Sequence, residues 1–198
     1  MSDETSKSPS RRPTRARAAM REQVDAIFAQ WQTERPDIDP SPVHVYGLIG
    51  RIQMQCTALI DEALVPFELT RGTYDVLTAL RRAGAPYSLS PKQIAQSLLL
   101  SGAGLTSRLN KLEAQNYLAR LPEPNDRRTL RVQLTSAGET VINEAIPQVF
   151  DVQRSLLLPL GVEGQQRLMQ ELMRFADVID GRSSEASQHR HSGDEPTP

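Results

Sequence analysis

Leucines at positions 105, 109 and 112 recur at helical spacing and are followed at once by two short apolar runs, 117–121 and 130–134. Between those runs lies Glu123-Pro124-Asn125-Asp126-Arg127-Arg128-Thr129, polar and rich in turn formers. The first spacing predicts a helix with one buried face, and the second a β-hairpin with a basic tip. Upstream, Ser90-Pro91 followed by Ile94, Ala95 and Leu98 predicts another short helix. Two short helices joined by a tight turn and followed by a hairpin make a winged helix-turn-helix. The predicted fold is therefore mostly α with a small β wing.

The rest of the chain reads as helix. Val24, Ile27, Phe28 and Trp31 share a face, which predicts a helix over 15–34, ended by Pro36, Pro40 and Pro42. Ser41 is expected to cap the next helix, with Pro42 at its first position, and that helix runs to Leu64 before Pro66. Thr70 caps a third helix with Tyr74, Leu77 and Leu80 inward, closed by Gly84. Ser101 is expected to open the helix that ends at Gln115, with Asn116 as its left-handed cap. Gly102 and Gly104 near its start fit either capping flexibility or close approach to DNA. Thr135 caps a long helix broken or bent at Pro147, and a last helix covers 163–180 after Pro159 and Gly161. Residues 1–14 and 181–198 lack the apolar residues to build a core and are expected to be disordered, the first with the option of a basic arm touching phosphate. His189 and His191 give only a faint metal hint. The expected organisation is one domain over 15–180, with 15–65 and 136–180 as dimerisation helices around a DNA-binding lobe at 70–135.

The 198 residues carry a net charge of −1, so a DNA reader of this composition must concentrate its positive charge. It does: Arg108, Lys111, Arg120, Arg127, Arg128 and Arg131 face only Glu113, Glu123 and Asp126 in the stretch 101–131. On the 101–115 helix, Ser101, Thr106, Ser107, Asn110 and Lys111 lie away from the leucines, small or polar enough to approach base edges. Asn125-Asp126 can form an Asx-type turn, and Asp126 can pair with a neighbouring arginine. Arg128 is the best placed to enter the minor groove, with Arg127 and Arg131 on phosphate or in structural pairs. In a dimer, half-sites about 10 bp apart are expected. One cysteine excludes an intrachain disulfide, and the absence of a signal-like or membrane-length apolar run predicts a cytoplasmic protein. No nucleophile–base pair, phosphate-cradling loop or ligand-spaced His/Cys cluster is visible, which argues against an enzyme and calls for no cofactor or metal.

The run DRRTLRVQLTSAG resembles the wing of the multiple-antibiotic-resistance regulator (MarR) family, and SGAGLTSRLNKLEAQNYLAR is similar to its recognition helix and first wing strand. Asn116 stands where the family usually has glycine. The resemblance covers about residues 40–178. It implies a homodimer, built by N- and C-terminal helices, that sets two wings on a pseudopalindromic double-stranded operator as a transcriptional regulator.

Within the family, the urate-responsive branch carries an extra N-terminal helix. Trp31, Asp75 in YDVL, Arg108 in TSRL and Arg120 in YLAR match its ligand positions, and RPDIDPSPV is similar to it as well. The resemblance implies release of DNA by a small anionic effector, urate or another aromatic or carboxylate anion. An aromatic ring can stack on such a ligand and guanidinium groups can hold its charge. Without ligand, Asp75 is expected to pair with Arg108 or Arg120 and fix the recognition helix. Each residue also has a plainer reading: packing for Trp31, a structural ion pair for Asp75, phosphate contact for Arg108. Cys56, on an apolar helical face, reads as a buried small residue or as a thiol redox switch, and His44 as capping, packing or a pH-sensitive group. A winged-helix interaction module that no longer binds DNA is the reading from another class.

Overall fold

The computed structural model describes residues 15–98, 104–123 and 126–191, with side chains over 21–98, 104–122 and 130–182. Helix α1 spans Arg15–Glu34 and α2 Pro42–Leu64, which a 3-10 turn at Val65–Phe67 extends. Then come α3 (Arg71–Arg82), β1 (Ser88–Leu89), α4 (Pro91–Ser97) and α5 (Leu105–Ala114). Strands β2 (Leu118–Glu123) and β3 (Asp126–Leu134) form the wing, and α6 (Ser136–Leu157) and α7 (Gly161–His191) close the chain around a 3-10 turn at Leu158–Leu160.

Local chemistry sets most of these boundaries. The Thr70 hydroxyl accepts from Thr73 N while Thr73 Oγ1 accepts from Thr70 N, so two helix-end donors are satisfied at once. Ser90 and Gln93 do the same for α4. Gly84 at φ +79° and Asn116 at φ +58° take the left-handed turns that end α3 and α5. Thr135 caps α6 by accepting from Gly138 N at 3.0 Å, and its hydroxyl donates to Asn116 O at 2.7 Å. One threonine thus fastens the end of α5 to the start of α6 at the root of the wing.

Several expectations need correcting. Pro42 does begin α2, but Ser41 makes no capping bond. The first-turn N–H groups of Val43 and His44 go to the Pro40 and Ser41 carbonyls, while the Asp39 carboxylate accepts from Ser41 N at 2.9 Å and from the Ser41 hydroxyl at 2.7 Å. These bonds hold the Asp39 carboxyl below the usual carboxylate range. Helix α5 starts at Leu105, where Gly104 at φ +76° is the N-cap, so Gly104 serves the turn; Ser101 and Gly102 lie outside the described residues. Helix α6 runs through Pro147 without a break, and α7 continues to His191, past the expected end at 180. No proline falls between Gly161 and His191 to stop it.

The sheet order is β1-β3-β2, all antiparallel, so β3 is central and β2 an edge. Pro122 sits on that edge, where a missing N–H is tolerated. The two-residue β1 was not expected from sequence. The core lies where α3, α5, α6 and the sheet meet. Leu77, Leu80, Ile94, Leu112, Val132 and Ile142 are each fully buried there. Helix α1 rests on α2 through buried Val24, which packs on Gly47, and through Phe28, stacked on His44 at 4.3 Å. His44 Nε2 also meets Asp25 Oδ1 at 3.1 Å, so His44 packs between helices rather than capping one. No helix among the described residues is long and apolar enough to cross a membrane.

Candidate DNA-reading surface and effector site

Helix α5 shows the two faces expected of it. Leu109 and Leu112 are buried, while Thr106, Ser107, Asn110 and Lys111 are exposed. These four side chains form one polar strip beside the wing. Arg131 on β3 turns away from that strip. Its Nε donates to Ser88 Oγ at 3.0 Å and its Nη2 to Ser88 O at 2.7 Å, so it braces the wing's central strand to β1. The backbone of β3 includes Arg127 and Arg128, whose side chains, with those of Asp126 and Glu123, lie outside the described residues, as do Pro124 and Asn125.

The four candidate effector residues do not form the expected pairs. Asp75 Oδ1 pairs with Arg71 Nε at 3.0 Å, one turn earlier on its own helix. Neither Arg108 nor Arg120 is its partner among the described residues. The i,i+4 spacing of Arg71 and Asp75 is the sequence signal for this pair. Arg120 turns instead to α5: its Nη1 meets Glu113 Oε2 at 3.1 Å and its Nη2 donates to Asn110 Oδ1 at 2.6 Å.

Arg108 lies across the first turn of α3. A Cβ on Gly72 would sit 2.7 Å from Arg108 Nε, so only glycine leaves room for the guanidinium there. Arg108 Nη1 and Asp75 Oδ2 are both buried without a hydrogen-bond partner. A buried polar atom left unpaired costs about 1–3 kcal/mol. A donor on α5 and an acceptor on α3 are thus left unsatisfied among the described residues. Burial pushes the Tyr74 phenol up, with Arg71 opposing and Asp75 adding, so it stays neutral beside this pair. Trp31 is 45 % exposed on α1, and no ring contact or hydrogen bond joins it to the other three residues. Cys56 is half-buried on α2 rather than fully enclosed. No group of His, Cys, Asp and Glu able to hold a metal occurs among the described residues.

A helix pair packed over a three-stranded sheet, with a basic hairpin beside an exposed polar helix face, defines a DNA-binding winged-helix protein. Residues 67–129 match the sequence model of the MarR family. The HTH-type transcriptional regulator PecS of Dickeya dadantii is 36% identical over 146 residues, which cover 74% of this chain and 88% of PecS. The apo structure of Escherichia coli MarR superposes with a TM-score of 0.54 at 26% identity, covering 65% of this chain and 93% of that one. A cysteine-to-serine variant of the same protein, complexed with operator DNA, shares the fold at a TM-score of 0.60 and 24% identity, over 73% and 96% of the two chains. The chain belongs to the MarR family of transcriptional regulators. Its relatives are DNA-binding regulators, not enzymes.

Proposed function

We propose that the chain is a homodimeric transcriptional repressor that a small anion, urate or another aromatic or carboxylate anion, releases from a pseudopalindromic operator. The observation that carries this reading is the open pair at the α3–α5 crossing, Arg108 Nη1 and Asp75 Oδ2. Arg108 belongs to the recognition helix, so a ligand that engages its guanidinium acts directly on the element that reads DNA. An incoming anion gains charge-assisted bonds from Arg108 and is repelled by Asp75. Both effects favour a shifted α5. The shift lowers operator affinity to the extent that the anion binds the DNA-incompetent form more tightly. Repression in cytoplasm-like conditions then depends on the free anion concentration.

Trp31 is the only tryptophan, which makes the test direct. Urate, xanthine, salicylate and aconitate are titrated into the protein while Trp31 emission is followed, and in parallel into its complex with the DNA flanking its gene. A cognate anion changes the emission and releases the DNA over one concentration range. Flat signals for all four sink the effector reading. DNA release with unchanged emission removes Trp31 from the site and leaves the switch standing.

A further inference from the structure

We propose that Arg120 sets which base Asn110 reads, by drawing the carboxamide oxygen of Asn110 toward the wing and so fixing which way the amide faces. An arginine carries only donors, so the Asn110 atom 2.6 Å from Arg120 Nη2 must be the oxygen. The second arm of the same guanidinium holds Glu113 at 3.1 Å. Asn110 and Glu113 are three residues apart and share an edge of α5, so one planar fork spans both. Arg120 is itself fixed: on β2 it pairs in register with Val132, which is fully buried. The orientation of the Asn110 amide is therefore imposed by the wing. Its oxygen is drawn toward β2 and its amino group points the other way, along the exposed strip with Thr106 and Ser107.

The consequence is chemical. A free asparagine prefers adenine, where its oxygen accepts from N6 and its nitrogen donates to N7. An asparagine whose oxygen is held toward β2 cannot aim oxygen and nitrogen at adenine together and loses that bidentate match. It suits a pair of acceptors, the O6 and N7 of guanine. Arg120 thereby acts as a specificity-determining residue without touching DNA. The inference rests on the DNA-reading role of α5. It also gives an effector that recruits Arg120 a second consequence: Asn110 is released and the base it prefers changes.

The test is selection from a randomised duplex library by the full chain, scoring relative preference at each base pair. Wild type selects guanine at one position, and Asn110→Ala abolishes selection there. Arg120→Met, which keeps the aliphatic stem but cannot donate, shifts that same position toward adenine by on the order of 10-fold. Asn110→Ala with Arg120→Met behaves as Asn110→Ala alone. Arg120→Lys keeps the charge but cannot span both partners, so it shifts the same position less, and it carries the test if the Met variant does not fold. Loss of the Arg120 charge alone weakens binding evenly across sequences and leaves relative preferences unmoved. An unchanged profile in both Arg120 variants, a shift at a different position, or adenine already selected by wild type overturns the proposal. If the wild-type chain shows no sequence preference at all, the operator-binding reading falls with it; selective binding with an uncoupled Arg120 removes this inference alone.

Discussion

Gly138 occupies a place where no other residue fits. It is the third residue of α6, its N–H donates to Thr135 Oγ1 at 3.0 Å, and a Cβ there would overlap the backbone carbonyl of Tyr117. Tyr117 follows the left-handed turn at Asn116, whose carbonyl accepts from the Thr135 hydroxyl. The root of the wing is thus a backbone-to-backbone contact that a single methyl group prises apart. Gly138→Ala gains a little helix propensity, under about 1 kcal/mol, and loses about 2–3 kcal/mol to the clash. The net expectation is a lower melting temperature and a weaker grip on DNA, checked by thermal unfolding and a gel shift. A Gly138→Ala protein as stable as wild type would mean that Tyr117 can move away. The sequence showed this glycine only as part of a resemblance. The approach of Tyr117, which explains it, is a tertiary contact that no local pattern encodes.

At the level of elements, helices were the legible part of the chain, because caps and apolar spacing are local. Thr70, Ser90 and Thr135 cap as their sequences suggest. Ser41 does not, because its hydroxyl donates back to Asp39 and the His44 N–H goes to the Ser41 carbonyl instead. Strand β1 is not legible in the sequence, because two residues cannot display an alternation. For the four candidate effector residues the pairings were not legible in the sequence, since partners depend on how α3 and α5 cross. That crossing is itself testable at Gly72. In the first turn of α3, alanine raises helix propensity by up to about 1 kcal/mol, and the atom it meets is the movable Arg108 guanidinium, not backbone. Gly72→Ala is therefore expected to melt no lower than wild type while Arg108 loses its seat. The effector concentration needed to release DNA should rise about 10-fold or more, on the scale of one lost charge-assisted bond. Thermal unfolding and DNA-release titrations on the same preparation separate the two effects. An unaltered effector response would show that the seat of Arg108 on α3 plays no part in sensing.

For the molecule as a whole, the distribution of apolar surface points to a second copy of the chain. The core formed by α3, α5, α6 and the sheet is closed, yet α7 leaves Leu168, Met169, Leu172 and Met173 between 42 % and 60 % exposed. Tyr46 on α2 meets Phe175 on α7 edge to face at 6.1 Å, so the two terminal regions already touch within one chain. Together they leave many large apolar side chains exposed, among them Val45, Tyr46 and Ile52 on α2 and Leu168, Leu172 and Met173 on α7. Two-fold pairing of that surface would cover it and would set two recognition helices on one duplex, as the proposed homodimer requires. Leu168→Glu with Leu172→Glu places two carboxylates in the middle of this surface without touching the closed core. The expected result is a species of 22.0 kDa by light scattering, where the wild-type chain shows twice that mass. Operator affinity should drop by about 100-fold or more, because each half-site must then be bound without help from the other. The far-ultraviolet circular dichroism should keep its helical shape, since both positions are exposed in the single chain. If the doubly substituted chain keeps the wild-type mass, α7 is not the pairing surface, and the exposed face of α2 around Val45 and Ile52 becomes the place to substitute next.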